Sequence, residues 1–353
     1  MSGTTRASQQ VAAGSPADEL DPRLVKTSPV RGLLTNSTML VLLVDVILIA
    51  FFAIVSRDHI FWSIPNAESL LRNGSEILVL SLGICLLMSA GIFDLSVGAN
   101  LILSSVICAY AIQYGVAAGS DPVFACVFGL LVAVISGILF GTINGLIITK
   151  LKVNSLIATL GTLGVGSGIA QILTNGQDIR GFPSILQTHF AVAKIGIVGV
   201  PILCGLILMA GLWALFRFTR FGMRTLAIGS NSVGAMRAGI DVDRHLIVLA
   251  AIAGALAGFA GFISLARYGS TTIASHSLDG LNAVTAVVIG GTALTGGRVS
   301  VIGTLWGVAL SVILLSGLII IRVQPFWQLV ATGLVLIAAV AFDQFRARHL
   351  ERR

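Results

Sequence analysis

The sequence predicts an all-α polytopic membrane protein with about ten transmembrane helices, some of them short or broken. Of its 353 residues, 56% are hydrophobic and only 10% are charged, and the mean hydropathy is +0.98. Soluble domains carry about 25% charged residues, so this supply cannot cover a surface that faces water. The apolar residues also come in long runs, and a helix needs about 20 of them to cross a hydrocarbon core about 30 Å thick.

Ten apolar segments are predicted to span the membrane. The chain has 40 glycines. Small residues let membrane helices approach closely, and helix breaks are tolerated where the backbone is buried in protein or lines a cavity. The eighth segment is short and rich in glycine, which is typical of an interrupted helix. The spans are predicted at about 38–55, 74–92, 97–115, 123–149, 155–174, 196–218, 246–268, 283–297, 299–321 and 325–343.

The basic residues predict the orientation of these spans. With the N-terminus inside, 16 of the 22 Lys and Arg residues fall in inner segments and 6 in outer ones. Cytoplasmic loops of membrane proteins carry this excess, so both termini are predicted to be cytoplasmic. The net charge of +7 is then explained by a cytoplasmic face beside anionic headgroups, without a nucleic-acid partner.

The protein is predicted to lie in the inner (plasma) membrane. Its chain divides into three predicted regions. Residues 1–35 are rich in Ser, Ala, Gly, Pro and charge, which predicts a flexible cytoplasmic tail. A transmembrane permease domain is predicted over 36–345, with a long cytoplasmic loop at about 217–245. A basic cytoplasmic tail is predicted at 346–353.

Motifs for catalysis, metals or cofactors are missing from the sequence. It contains no Gly-x-x-x-x-Gly-Lys-Ser/Thr phosphate loop, and its five histidines form no His-Glu-x-x-His pair. The four cysteines lie inside apolar runs without metal-ligand spacing, so we expect buried free thiols. An intramembrane enzyme would need a catalytic dyad facing one cavity, and the sequence offers no candidate. We therefore predict a protein that is not an enzyme and holds no metal or cofactor.

Two acidic residues stand out among the apolar segments. Asp45 lies near the middle of the first span, where a charge costs about 2.5–3.5 kcal/mol, so it must face protein or water. It is either a proton or cation relay or a polar packing contact. Asp94 lies with Ser96 between two spans; the pair can cap the next helix, and it can also line a pathway. An ion-coupled secondary transporter that uses these acids is an alternative function.

Other polar residues inside the spans can line a path for a hydroxyl-rich solute. The pathway or gating candidates are Asp94, Ser96, Asn144, Thr159 and Thr162. The alternative is hydrogen bonding between helices, at less than about 2 kcal/mol each. A second glycine cluster, Gly290–Arg298, is neither flanked by strands nor followed by Lys-Ser/Thr, so it predicts a broken helix or a tight membrane turn.

The loop at 217–245 is predicted to contain a short helix. Asn231 or Ser232 is a good N-cap, and Gly239 a good C-terminal stop. The apolar residues between them recur near helical spacing, at Val233, Met236 and Ile240. Such a helix can lie on the membrane or insert into a groove on a partner, and the spacing alone favours neither.

Four stretches of the chain resemble a known family in the same order. They are Gly91–Gly98; Asn144–Val153 with Ala158–Thr162; Gly222–Ile240; and Val288–Thr292 with Gly296–Arg298 and Pro325–Gln328. Over about residues 75–343 the chain resembles the membrane permeases of ribose-type ABC sugar importers, which include ribose, xylose, galactose and autoinducer-2 permeases. In the first stretch, Ile92 and Phe93 stand where the family has Gly and Ile.

The resemblance implies the permease subunit of an ATP-driven importer for a monosaccharide or similar polyol, working by alternating access. It implies three partners: cytoplasmic ABC ATPase subunits, a periplasmic sugar-binding protein, and a second permease subunit in a homodimer or close heterodimer. An amino-acid ABC permease of related architecture is a further alternative.

The resemblance also implies a role for the helix in the long loop. It would be the coupling helix, which docks in a groove of an ATPase and transmits the movement of that subunit to the spans. The residues assigned to coupling are Gly229, Asn231, Ala235, Met236, Arg237, Gly239 and Ile240.

Overall fold

The computed structural model describes residues 37–324, apart from 197, 275 and 277, and scattered residues between 326 and 341. The predicted tails at 1–35 and 346–353 therefore lie outside the described residues, as does Pro325 of the fourth motif. The described chain is mostly helical, as the sequence predicts. Among the described residues, strands occur only as a short hairpin that pairs β1 (Lys194–Ile195) with β2 (Val198–Gly199).

Within residues 37–324, eight helices are long and apolar enough to cross a membrane, and three (α7, α8 and α10) are shorter. In chain order they are α1 Ser37–Val55, α2 Ile64–Ser89, α3 Val97–Ala117, α4 Pro122–Thr149, α5 Ser155–Thr174, α6 Val200–Phe218, α7 Arg220–Ser230, α8 Ser232–Arg237, α9 Val242–Tyr268, α10 Asp279–Ile289 and α11 Val301–Ile320. Short helical turns lie at Arg57–Trp62, Ser184–Leu186 and Gln187–Ala191.

The long helices correspond to eight of the ten predicted spans, with two differences. Helix α2 begins at Ile64, ten residues before the predicted start at 74. The predicted span at 283–297 is instead α10, whose 11 residues rise only about 17 Å and cannot cross the bilayer alone. The predicted span at 325–343 falls where the described residues are helical but incomplete.

Most of the helices, although not α3, α6 or α10, begin at side chains that accept hydrogen bonds from their first amides. Asp121 Oδ1 accepts from the Val123 amide at 2.8 Å at the start of α4, and Asn154 Oδ1 accepts from the Leu156 amide at 3.0 Å at the start of α5. Such caps satisfy donors that a helix end leaves free. The local sequence thus fixes where these membrane helices start.

Contacts between helix ends show that the long helices alternate in direction from α1 to α9, and that the short α10 returns the chain so that α11 starts at the same end as α9. One end of the bundle, which we call the junction end, contains Ser89 at the end of α2. The Gly297 amide donates to the Ser89 carbonyl at 2.9 Å. Further contacts at this end join Lys150 Nζ to Asp243 Oδ2 at 3.3 Å, Thr225 Oγ1 to His245 Nε2 at 2.8 Å, and Thr38 Oγ1 to Ser300 Oγ at 3.3 Å.

Helices α4 and α9 pack backbone to backbone along a seam of small residues. A Cβ atom at Gly254 would overlap the carbonyl oxygen of Gly137, and one at Gly258 would overlap that of Ala133. We call this contact the glycine seam; it comprises Ala133, Gly137, Gly141 and Gly145 on α4 and Ala250, Gly254 and Gly258 on α9. Small residues four positions apart allow such close approach between membrane helices.

Helix α9 is also in close contact with α2 and α3. A Cβ atom at Gly83 would lie 3.3 Å from the Ala253 carbonyl oxygen, and one at Gly261 would lie 2.6 Å from that of Leu101. Three long helices therefore surround α9, and its buried residues form much of the core.

We predict that Gly254→Ala destabilises the protein while Gly164→Ala does not. The added methyl group meets the α4 backbone at Gly254, and overpacking of this kind costs about 1–3 kcal/mol. At Gly164 a Cβ atom meets nothing within 4 Å, so the better helix propensity of Ala should leave stability equal or slightly higher. Unfolding midpoints of the purified proteins in detergent test this; equal midpoints for the two variants would contradict the glycine seam.

Candidate functional site

Three motifs that are far apart in the sequence meet at the junction end. Gly229 of α7 lies so close to Ser89 that a Cβ atom would overlap the Ser89 carbonyl oxygen. A Cβ atom at Gly296 would lie 2.9 Å from the Cα of Gly229 and 2.8 Å from the amide nitrogen of Gly91. We call this contact the glycine junction: Ser89, Gly91, Gly229, Gly296 and Gly297. It joins the long loop directly to the end of α2 and to the segment between α10 and α11.

The predicted pathway residues lie near the junction end, and four of them are close together. Asp94 Oδ1 accepts from Ser96 Oγ at 2.5 Å, and Asn144 Nδ2 donates to Ser96 Oγ at 2.8 Å. Thr159 Oγ1 reaches the Phe93 carbonyl at 3.4 Å, so α5 closes over the same segment. These four side chains are buried, and Asn144 Oδ1 has no partner among the described residues.

Thr162 lies apart from the other four residues, one turn further along α5. Its hydroxyl donates to the Thr159 carbonyl at 3.3 Å. Together with Asn144 it lines a cavity of about 400 Å³ between α3, α4 and α5, whose other walls are mostly apolar.

The expected capping role of Asp94 and Ser96 is wrong in its details. Ser96 occupies the N-cap of α3, but its side chain accepts no hydrogen bond from the first turn. Asp94 accepts from the Ser96 amide at 2.7 Å and from the Ser96 hydroxyl, so it stabilises the turn before the helix. Burial raises the pKa of Asp94 above its usual value, and the hydrogen bonds from Ser96 and Asn144 oppose that shift.

Helix α8 forms where the sequence predicts it. Asn231 is its N-cap, and its Oδ1 accepts from the Gly234 amide at 2.8 Å. The helix ends at Arg237, and Gly239 has a φ of +82°, which favours glycine. Met236 and Val233 are 61% and 55% exposed, so α8 presents an apolar surface away from the bundle.

The residues assigned to coupling fall on different sides of α8. Met236, Arg237 and Asn231 are exposed, whereas Ala235 is buried against Ile228 and Val242. Ile240 packs beside the same buried group, and Gly229 belongs to the glycine junction. One part of the predicted set therefore faces outward and the other part anchors the loop to the bundle.

Asp45 is buried in α1 and is 2% exposed. Neither of its carboxyl oxygens has a hydrogen-bond partner among the described residues. The polar packing contact that the sequence offers as one alternative therefore has no polar partner in this part of the chain.

The structure also places four charged side chains together, which sequence reasoning did not connect. We call Glu76, Arg267, His276 and Asp279 the ionic cluster. His276 Nδ1 lies 3.1 Å from Glu76 Oε1 and 2.6 Å from Asp279 Oδ2, and Arg267 Nη1 lies 3.4 Å from Glu76 Oε2. Glu76 is the thirteenth of the 26 residues of α2, so this carboxylate lies halfway along a membrane helix.

The ionic cluster is electrically balanced. Burial would lower the pKa of His276, which lies in the loop before α10, but hydrogen bonds to Asp279 and Glu76 outweigh it and raise the pKa to about 10. The imidazole is then a cation at neutral pH, and its Nε2 donates to Ser264 Oγ at 2.8 Å and Thr272 Oγ1 at 2.9 Å. Two carboxylates thus face one imidazolium and one guanidinium, and the net charge is zero.

Glu76, His276 and Asp279 also offer the types of ligand atom that hold metal ions, within 4.8 Å of one another. Their separations of 2.6 and 3.1 Å are hydrogen-bond lengths, and Arg267 occupies the second oxygen of Glu76. The imidazole protons of His276 and the guanidinium of Arg267 therefore neutralise the two carboxylates without a metal ion. The expectation of no metal or cofactor stays a prediction, while the four cysteines are free and three of them are buried, as expected.

The ionic cluster was missed because its signal is spread over the sequence. The first half of α2 contains five polar residues: Asn66, Glu68, Arg72, Asn73 and Glu76. The span predicted from hydropathy therefore began only at residue 74. Arg267 and His276 lie about 190 and 200 residues further on, in segments that were assigned to the outer side. The available signal was an acidic residue, Glu76, just inside the predicted limit of a span.

A permease family, described as "Branched-chain amino acid transport system / permease component", matches residues 66–340. The chain belongs to this family. The match includes the glycine junction, α8 and the ionic cluster. The prediction that the chain is a transport subunit and not an enzyme is confirmed, and so is the resemblance drawn from the four motifs.

Curated relatives cover most of the chain. It is 37% identical to a ribose import permease of Bacillus subtilis, over 79% of this chain and 84% of the relative. It is 34% identical to a D-allose transport system permease of Escherichia coli, over 84% and 89%. It is 31% identical to a galactose/methyl galactoside import permease of the same species, over 85% and 93%. No solved structure matches the chain.

We predict that removing one charge from the ionic cluster destabilises the protein more than removing an opposite pair. Arg267→Gln leaves Glu76 short of a partner in a buried place, at a cost of about 3–5 kcal/mol. Glu76→Gln with Arg267→Gln keeps the net charge at zero and should recover part of that loss. Unfolding midpoints in detergent are measured for the unchanged protein, for each single variant and for the double variant; a double variant as unstable as the sum of its single variants would contradict the charge balance.

Proposed function

We propose that this chain is the membrane permease subunit of an ABC importer for a monosaccharide or similar polyol. The solute is released by a periplasmic binding protein, and ATPase subunits on the cytoplasmic side drive alternating access. The observation that carries this proposal is identity of 31–37% to ribose, allose and galactose permeases over 79–85% of the chain. The permease works as a pair with an identical or closely related subunit.

The junction end is the cytoplasmic end in this proposal. Lys150, Lys152, Arg220, Arg224 and Arg237 lie in the segments that connect the helices there, which accords with the positive-inside rule. Because Thr38 contacts Ser300 at the same end, the N-terminus is cytoplasmic too. The tails at 1–35 and 346–353 are then cytoplasmic extensions of the permease domain.

Helix α8 is the proposed contact for the ATPase. Its exposed Val233 and Met236 form an apolar surface that suits a groove, and its buried Ala235 holds it against the bundle. Behind α8, Gly229 is packed on Ser89 and Gly297 without intervening side chains. A displacement of α8 therefore reaches the end of α2 and the segment between α10 and α11 through backbone contacts.

The proposed solute is a sugar, although the family description names branched-chain amino acids. Its relatives are named as permeases for ribose, allose, galactose or, at 30% identity in Yersinia pseudotuberculosis, autoinducer 2. The solutes in these names are all small molecules that carry hydroxyl groups. The predicted pathway residues are also mostly uncharged hydrogen-bonding side chains, which suits a sugar better than a charged solute.

Uptake in proteoliposomes tests the proposal. The chain is reconstituted with its ATPase and binding protein, and uptake of D-ribose, D-allose and D-galactose is measured with and without ATP. We expect uptake of at least one sugar that requires ATP and every partner. Uptake by the chain alone along an ion gradient, or uptake of leucine instead of any sugar, would overturn the proposed function.

We predict that Met236→Glu uncouples ATP hydrolysis from uptake while Leu151→Glu does not. A carboxylate at an apolar docking contact costs about 2 kcal/mol or more, so uptake should fall at least about tenfold. Leu151 is 70% exposed beside the junction end, comparable to Met236 at 61%, but it lies outside α8. The measurement is uptake per ATP hydrolysed, with membrane assembly checked for both variants; equal loss in both would show that α8 is not the specific contact.

A further inference from the structure

We propose that a cavity beside the ionic cluster is the permease's own binding site for the sugar in transit. The cavity has a volume of about 290 Å³ and lies between α2, the end of α9, α10 and α11. This inference rests on the proposed function and adds where the solute is held inside the membrane. We call this cavity the central cavity.

The central cavity differs in its lining from two other cavities among the described residues. Eight of its twelve lining residues carry polar or charged side chains, including Asn73, Glu76, Arg267, Tyr268, Asp279 and Gln328. The cavity of about 400 Å³ between α3, α4 and α5 has three polar side chains among twelve, and one of about 220 Å³ beside α1 has none. A hydroxyl-rich solute loses its water on entering the membrane, so it requires the polar lining.

The chemistry of this lining matches a sugar. Each sugar hydroxyl both donates and accepts, and the carboxylates of Glu76 and Asp279 accept while Arg267 and Asn73 bring donors. Tyr268 adds an aromatic face, over which the Arg267 guanidinium lies at 4.5 Å from the ring centroid. The volume is at the low end of the roughly 300–1,000 Å³ of small-molecule sites, which suits a single sugar ring.

The central cavity lies where two helices begin inside the bundle. A Cβ atom at Gly98 of α3 would lie 2.9 Å from the His276 carbonyl oxygen, and one at Gly280 of α10 would lie 2.8 Å from the Leu95 carbonyl oxygen. The starts of α3 and α10 are therefore in contact beside the ionic cluster. Helices that begin within the membrane occur around solute sites of transporters, because they bring backbone donors to a buried place.

The central cavity lies well away from the junction end, beside the midpoint of α2 and at the far end of α9, where Arg267 and Tyr268 are the last two residues. Glu76 is 13 residues from Ser89, a rise of about 20 Å. A solute held in this cavity is therefore separated from the junction end by about 20 Å of packed helices. Alternating access requires those helices to move before the solute can reach that end.

Thiol protection tests the proposal in the assembled importer. Leu315 lines the central cavity, and Leu139 lines the apolar cavity between α3, α4 and α5. Leu315→Cys and Leu139→Cys are each made in a Cys204→Ser background, since the other three cysteines are buried. Labelling by a small maleimide is then timed with and without whichever of D-ribose, D-allose or D-galactose the same preparation imports.

We expect the imported sugar to slow labelling of Leu315→Cys and to leave Leu139→Cys unchanged. Adding Asp279→Asn should raise the sugar concentration for half protection by about tenfold, the loss of one charged hydrogen bond. Tyr268→Phe is a second variant, which leaves the ionic cluster intact and should also weaken protection. If Leu315→Cys is not labelled at all, Ile319→Cys on the same wall replaces it.

Two results would overturn the inference. Unchanged labelling of Leu315→Cys and Ile319→Cys, in a preparation that imports the sugar, would show that the sugar does not enter the central cavity. Protection of Leu139→Cys alone would place the sugar in the cavity between α3, α4 and α5. A complete preparation that imports no sugar fails at the earlier step, and then the proposed function itself is wrong.

Discussion

The glycine seam between α4 and α9 is the contact on which the rest of the bundle depends. It brings two backbones together where any side chain would hold them apart, and α9 is also packed on α2 and α3. Close packing replaces the hydrophobic effect as the main attraction between helices inside lipid. Because α9 is fixed on three sides, its far end carries Arg267 and Tyr268 to a defined place beside α2.

That place contains charges that lipid would not tolerate alone. Glu76 and His276 are both 3% exposed, and each is stabilised only by groups from other parts of the chain. Burying ion pairs seldom adds stability compared with apolar packing, so their presence among buried membrane helices needs another reason. A polar cavity for a hydroxylated solute provides one, since the groups that balance each other can also bind the solute.

Much of this architecture could be predicted from the sequence, because hydropathy and charge report on the solvent around each segment. The spans of α4, α5 and α9 and the caps of α8 follow from local patterns. The ionic cluster does not, since Glu76 meets partners about 190 to 200 residues away and its polar neighbours shortened the predicted span. The burial of Ala235 was equally hidden, because one turn of helix does not reveal which side faces the bundle.

Ser89 and Glu76 belong to the same helix, and this has a mechanical consequence. A hydrogen-bonded helix transmits a push or a rotation along its length, so α2 acts as a rod between the glycine junction and the ionic cluster. Partly separated charges are less stable than fully paired or fully solvated ones, so halfway positions of the rod are unfavourable. The permease should therefore change between two discrete conformations, and a force too weak to separate the charges should leave its conformation unchanged.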